Sequence, residues 1–106
     1  MSAWLYLVGA IIFEVFGTIS LRLAVDKKRW YVGVVAGYII AFSLLAVTLA
    51  NGLPLGVAYG IWAAAGVALT AILSKVLFNE PLTRVMIFGI VLIIGGVLLI
   101  EIGASL

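Results

Sequence analysis

Four long apolar runs, separated by three short polar breaks, dominate the chain. The first, Ala3 to Leu21, is interrupted only by Glu14. Arg22 to Arg29 then reads as a helix end plus a loop. Trp30 to Ala50 carries no charge, and Asn51-Gly52-Leu53-Pro54 is a turn signature. Leu55 to Ser74 is also uncharged and closes at Lys75. Asn79-Glu80-Pro81 marks the next turn, Thr83 is placed to cap a helix with Arg84 in its first turn, and Val85 to Ile100 ends at Glu101. Each run is near the roughly 20 residues that cross about 30 Å of hydrocarbon. The pattern predicts an all-α integral membrane protein of four transmembrane helices, about 3–22, 30–50, 55–77 and 83–101, in a single domain over 1–106. A spanning β-barrel needs alternating polarity, and these runs are apolar all round. The first run lacks a basic leader region and carries a glutamate, so it reads as a span rather than a cleaved signal.

Composition agrees with this reading. Of 106 residues, 67% are hydrophobic and 9% charged, against about a quarter charged in soluble domains. A water-soluble fold of this size has too much surface to hide that much apolar area. With no cysteine and no histidine, disulfides and thiolate or imidazole metal sites are excluded, and no metal is expected. The net charge of +2 lies in short clusters near helix ends, which argues against a nucleic-acid partner. All six Lys/Arg flank the first and third loops, and the positive-inside rule puts those loops in the cytoplasm and both termini outside. Trp4, Tyr6, Trp30 and Tyr31 fit the interfacial aromatic belts.

Four short helices leave little room for a passage, so transport would require an oligomer. Small residues recur at close-packing intervals: Gly52, Gly56, Gly60, Ala64 and Ala68 in the third helix, and Gly33, Gly37 and Ala41 in the second. Gly89 and Gly96 share one face of the fourth, with Gly95 beside them, and mark the expected subunit contact. Whether the other seams lie within or between subunits is open at this level.

Glu14 is the candidate functional residue. Its helical face includes Leu7, Ala10, Gly17, Thr18 and Leu21, and the small members let a second element or a ligand approach. An ionised carboxylate at mid-span costs about 2.5–3.5 kcal/mol, and no basic residue lies inside any run. The neutral acid is therefore favoured until a cation arrives, which is the behaviour of a proton carrier. Tyr59 and Trp62, spaced i,i+3 with Gly66 next on that face, and Tyr38 and Phe42, spaced i,i+4, are candidate partners. Aromatic faces attract organic cations by up to about 2 kcal/mol when desolvated, and the tyrosine hydroxyls can donate to a carboxylate.

The stretches Glu14-Val-Phe-Gly17-Thr18, Pro54-Leu-Gly56-Val-Ala58-Tyr59-Gly60-Ile-Trp62 and Phe78-Asn-Glu80-Pro-Leu82, in a four-span chain of this size, resemble the small multidrug resistance family of bacterial proton-coupled exporters. The resemblance covers essentially the whole chain. It implies a bacterial inner-membrane antiporter working as an antiparallel dimer, with protons as coupling ion and no other cofactor. It implies that Glu14 binds proton and cationic substrate in competition, that Tyr59 and Trp62 line the chamber, and that Gly89 and Gly96 form the dimer contact. Tyr38 matches the family's second-helix tyrosine once two residues of the first loop are skipped. No covalent chemistry is implied, so an enzyme is not expected.

There are departures. Trp62-Ala63-Ala64-Ala65-Gly66 replaces a small polar residue and glycine after the tryptophan, which removes a hydroxyl and stiffens that segment. Asp26-Lys27-Lys28-Arg29 replaces the usual first-loop turn. Phe16 stands where the guanidinium-exporting subtype has tryptophan, so the resemblance is closer to exporters of drugs and quaternary ammonium cations. A guanidinium or polyamine exporter, a non-transporting accessory subunit and a passive cation channel are the alternatives. The one-sided loop charge implies a fixed orientation and an unlike, oppositely inserted partner; an identical partner is the other option.

Overall fold

The computed structural model describes residues 2–106. The described residues are all-α. Four helices run Ser2–Ala24 (α1), Tyr31–Ala50 (α2), Leu55–Phe78 (α3) and Arg84–Ser105 (α4). Each is long and apolar enough to cross a membrane, and the exposed Val, Ile, Leu and Phe side chains that stud them suit a hydrocarbon solvent.

Helix ends follow local chemistry. α1 runs past Arg22 to Ala24, where the Arg22 guanidinium stands 3.8 Å from Asp26. A short 3-10 turn at Lys28–Trp30 leads into α2. Asn51 ends α2, and its Nδ2 donates to the Val47 carbonyl at 2.8 Å. Gly52 then turns the chain at φ +98°, a conformation that only glycine adopts without strain. Pro54 sets the entry to α3, and Asn79, left-handed at φ 54°, ends it. Thr83 caps α4, its hydroxyl accepting the Met86 N–H at 3.2 Å. α4 continues beyond Glu101 to Ser105. A charged residue marks the edge of the hydrocarbon and does not stop the backbone hydrogen-bond ladder.

The chain divides after Leu53 into two compact units, each a pair of helices. In the first, α1 and α2 meet backbone to backbone. A Cβ placed on Gly37 would stand 2.9 Å from Gly17 Cα and 3.1 Å from the Phe13 carbonyl oxygen. One placed on Gly33 would stand 2.7 Å from Ser20 Oγ, and one on Gly9 3.1 Å from a Leu44 methyl. The Gly33–Gly37–Ala41 seam is thus spent within the chain, against α1. In the second unit, a Cβ placed on Gly60 would stand 3.7 Å from a Val97 methyl and 3.8 Å from the Ile100 terminal methyl of α4. Ala64 and Ala68 continue that face into a groove of ≈ 370 Å³ walled by Ile94, Val97 and Leu98, with Glu101 also lining it. The expected third-helix seam is shorter than its spacing implied. Gly52 lies in the turn outside α3, because Pro54 opens the helix, and a Cβ on Gly56 would meet nothing within 4 Å. None of α4's described residues is buried.

Candidate functional site

Glu14 lies three residues before the crossing glycine Gly17 and one after Phe13, whose carbonyl oxygen also borders the crossing, on the side of α1 that also carries Thr18. The crossing decides what reaches it. Because Gly17 and Gly37 have no side chains, the two backbones touch, and the next residue of α2, Tyr38, lays its ring over Gly17 with the nearest approach to a Cβ there at 3.3 Å. The Tyr38 hydroxyl then lies 2.6 Å from Thr18 Oγ1. Thr18 Oγ1 donates in turn to Glu14 Oε1 at 3.4 Å. Thr18 has one proton, so while it donates to the carboxylate the tyrosine must donate to it. The result is a directed chain, Tyr38 to Thr18 to Glu14. The second carboxylate oxygen, Oε2, is buried without a hydrogen-bond partner among the described residues. No basic residue forms an ion pair with Glu14 among them. The carboxyl thus has one anchored oxygen and one buried oxygen without a partner among the described residues.

The other expected residues divide as follows. Ala10, one turn before Glu14, is fully buried at 0% exposure. Phe42 joins Tyr38 through a tilted ring contact with centroids 6.5 Å apart, which extends the aromatic surface along α2. On α3, Tyr59 and Trp62 form an edge-to-face pair, 5.6 Å between centroids at 61°. Tyr59 is 55% exposed and Trp62 only 9%. α3 is unbroken through Ala63–Ala64. Gly89 and Gly96 have no atom within 4 Å of an added Cβ, so the described residues leave that face of α4 open.

Two features escaped the spacing argument. Tyr38 reaches the carboxylate through Thr18 rather than directly, because the glycine crossing sets its height along α1. Ser20 is buried to 1% exposure with its hydroxyl unpartnered among the described residues. Its position three residues after Gly17, on the glycine face, was the available signal.

Tyr38→Phe removes the head of the hydrogen-bond chain while keeping the ring that packs on Gly17. One such bond is worth about 0.5–1.5 kcal/mol, so substrate affinity in purified protein, measured by calorimetric titration, should change by about 2- to 12-fold. An unchanged affinity and pH profile would mean the chain does not tune Glu14.

A sequence model described as "Small Multidrug Resistance protein" matches residues 2–93. The multidrug transporter EmrE of Escherichia coli is 40% identical over 103 residues, covering 95% of this chain and 93% of its own length. Multidrug resistance protein EbrB of Bacillus atrophaeus is 39% identical, with 95% and 87% covered. Multidrug resistance protein EbrA of Bacillus licheniformis is 36% identical, with 95% and 97% covered. With four membrane-length helices, a mid-span glutamate beside a glycine crossing and relatives matched over nearly their whole length, this chain belongs to the small multidrug resistance family.

Proposed function

We propose that this chain is a proton-coupled antiporter that exports lipophilic or quaternary ammonium cations across the bacterial inner membrane, with Glu14 as the group both ligands share. The observation that carries this is the Glu14 carboxyl, anchored at Oε1 by Thr18 and left without a partner at a buried Oε2 among the described residues. A proton neutralises it at no cost in hydrocarbon, and an organic cation does the same by pairing. The two exclude each other at one carboxyl, and that exclusion is the coupling. A ligand binding both access states equally would shift nothing.

Tyr38 and Phe42 offer one aromatic surface for the cation, and the Tyr59–Trp62 pair another. The likeness to multidrug transporters supports this choice of substrate over guanidinium or a polyamine. The 106 residues act as a single domain in an antiparallel dimer with an identical or unlike chain. Gly89 and Gly96 on the open face of α4 form the contact, since close helix approach in lipid favours small residues.

Loops one and three face the cytoplasm in this proposal, on the strength of the one-sided placement of all six Lys/Arg. Expressed alone and probed with membrane-impermeant labels, the chain should show one orientation. A mixed orientation removes the need for an unlike partner.

Vesicle reconstitution with a pH jump tests the transport itself, using an ethidium-like dye, guanidinium and a polyamine. Uphill, saturable, pH-driven movement of the dye supports the antiporter. Current without a pH gradient indicates a channel, and no movement an accessory subunit.

A further inference from the structure

The turn between α1 and α2 has chemistry that export does not use. Asp26 is the sole acid between Arg22 and Arg29 and stands 3.8 Å from Arg22. Lys27, Lys28 and Arg29 have no acidic partner among the described residues. The 3-10 turn Lys28–Trp30 brings this charge to the top of α2, where Arg29, Trp30, Val32 and Gly33 line a recess of ≈ 290 Å³. A second, apolar groove of ≈ 550 Å³ runs on down the helix, lined by Tyr31, Val32, Val35, Ala36 and Ile39. Val32 lines both, so the recess and the groove are neighbours on this helix. Ala36 is the one small residue in the wall of larger side chains and makes room there.

We propose that the recess and groove hold one anionic phospholipid, its phosphodiester against Lys28 and Arg29 and an acyl chain along Val32, Ala36 and Ile39. Charge complementarity selects the headgroup, since cations beside a membrane span attract anionic lipid. Length selects a lipid over a small anion. From Arg29 to Ile39 the helix rises about 15 Å, which is half of the about 30 Å hydrocarbon core, or the depth of one leaflet. Trp30 and Tyr31 fall at the headgroup level that such rings prefer. Free phosphate would gain nothing from the apolar groove.

The test uses the reconstituted full chain with spin-labelled lipids, comparing motionally restricted phosphatidylglycerol with phosphatidylcholine. Both leaflets carry label, so orientation does not matter, and transport is not read, so failure of the export proposal leaves the result intact. Each basic residue near the surface contributes about fivefold. The wild type should therefore prefer phosphatidylglycerol by about fivefold or more at low salt, and lose that preference at high salt. Lys28→Gln/Arg29→Gln should lower the preference by about fivefold or more. Ala36→Phe, which fills the groove and leaves the cations in place, should weaken it too. Lys75→Gln/Arg84→Gln, removing equal charge from the third loop, should leave it. The proposal is overturned if the wild type shows no preference, or if either α2 variant keeps it. It is also overturned if the third-loop variant loses the preference equally, or if inorganic phosphate displaces more labelled lipid than chloride does at the same ionic strength.

Discussion

Glu14→Gln should abolish proton-driven cation efflux while the protein still inserts and folds. Glutamine has nearly the shape of a protonated glutamic acid and can still accept the Thr18 hydroxyl that lies 3.4 Å from Oε1. It carries no charge, so insertion is not penalised. It can neither release a proton nor pair with a cation. Breaking a buried charge pair costs about 3–5 kcal/mol, so cation affinity and pH-driven uptake should each fall by about 100-fold or more. A second readout separates chemistry from misfolding. Saturating cation added to weakly buffered, detergent-solubilised wild type should release protons, and the variant should release none at unchanged helicity. Uptake that survives the substitution would reduce Glu14 to a packing residue and favour the accessory-subunit reading.

The second large effect is expected at Gly37. Its added Cβ would stand 2.9 Å from Gly17 Cα and 3.0 Å from Gly17 N, both backbone atoms. A flexible side chain can rotate away from such an overlap, but a helix backbone cannot. Gly37→Ala must push α1 and α2 apart, at about 1–3 kcal/mol for overpacking, and Gly37→Leu should prevent the pair from closing. The same displacement lifts Tyr38 off Gly17 and breaks its 2.6 Å contact with Thr18, so transport should fall together with stability. Gly103→Ala is the control, since nothing lies within 4 Å of an added Cβ there, and its effect should stay within about 0.5 kcal/mol. Midpoints of unfolding in a denaturing-detergent titration give the comparison. A Gly37→Ala protein as stable as wild type would contradict the backbone contact.

The two predictions differ in how readily the sequence revealed them. Glu14 was visible at once, because a carboxylate inside an apolar run has no local remedy. Gly37 was visible only as one member of a small-residue row. That Gly37 meets Gly17, and that the row is used within the chain, depended on the crossing. The Gly52-to-Ala68 row shows the opposite error: regular spacing ran straight through a turn that Pro54 and the positive φ of Gly52 create.

By itself the sequence determined the number of spans, their approximate limits, the Thr83 cap and the acid at mid-span. These follow from hydropathy and hydrogen-bonding demands that are local and sum along the chain. The tertiary structure alone decided which face of each apolar helix meets another. It set Gly17 against Gly37, placed Thr18 between Tyr38 and Glu14, and buried Ser20. The reason is the solvent. Lipid tails are as apolar as leucine, so lipid-facing and helix-facing positions draw on the same residues. The polar-apolar periodicity that marks the inner face of a soluble helix is therefore absent here, and only close backbone approach, read in three dimensions, reveals the contact.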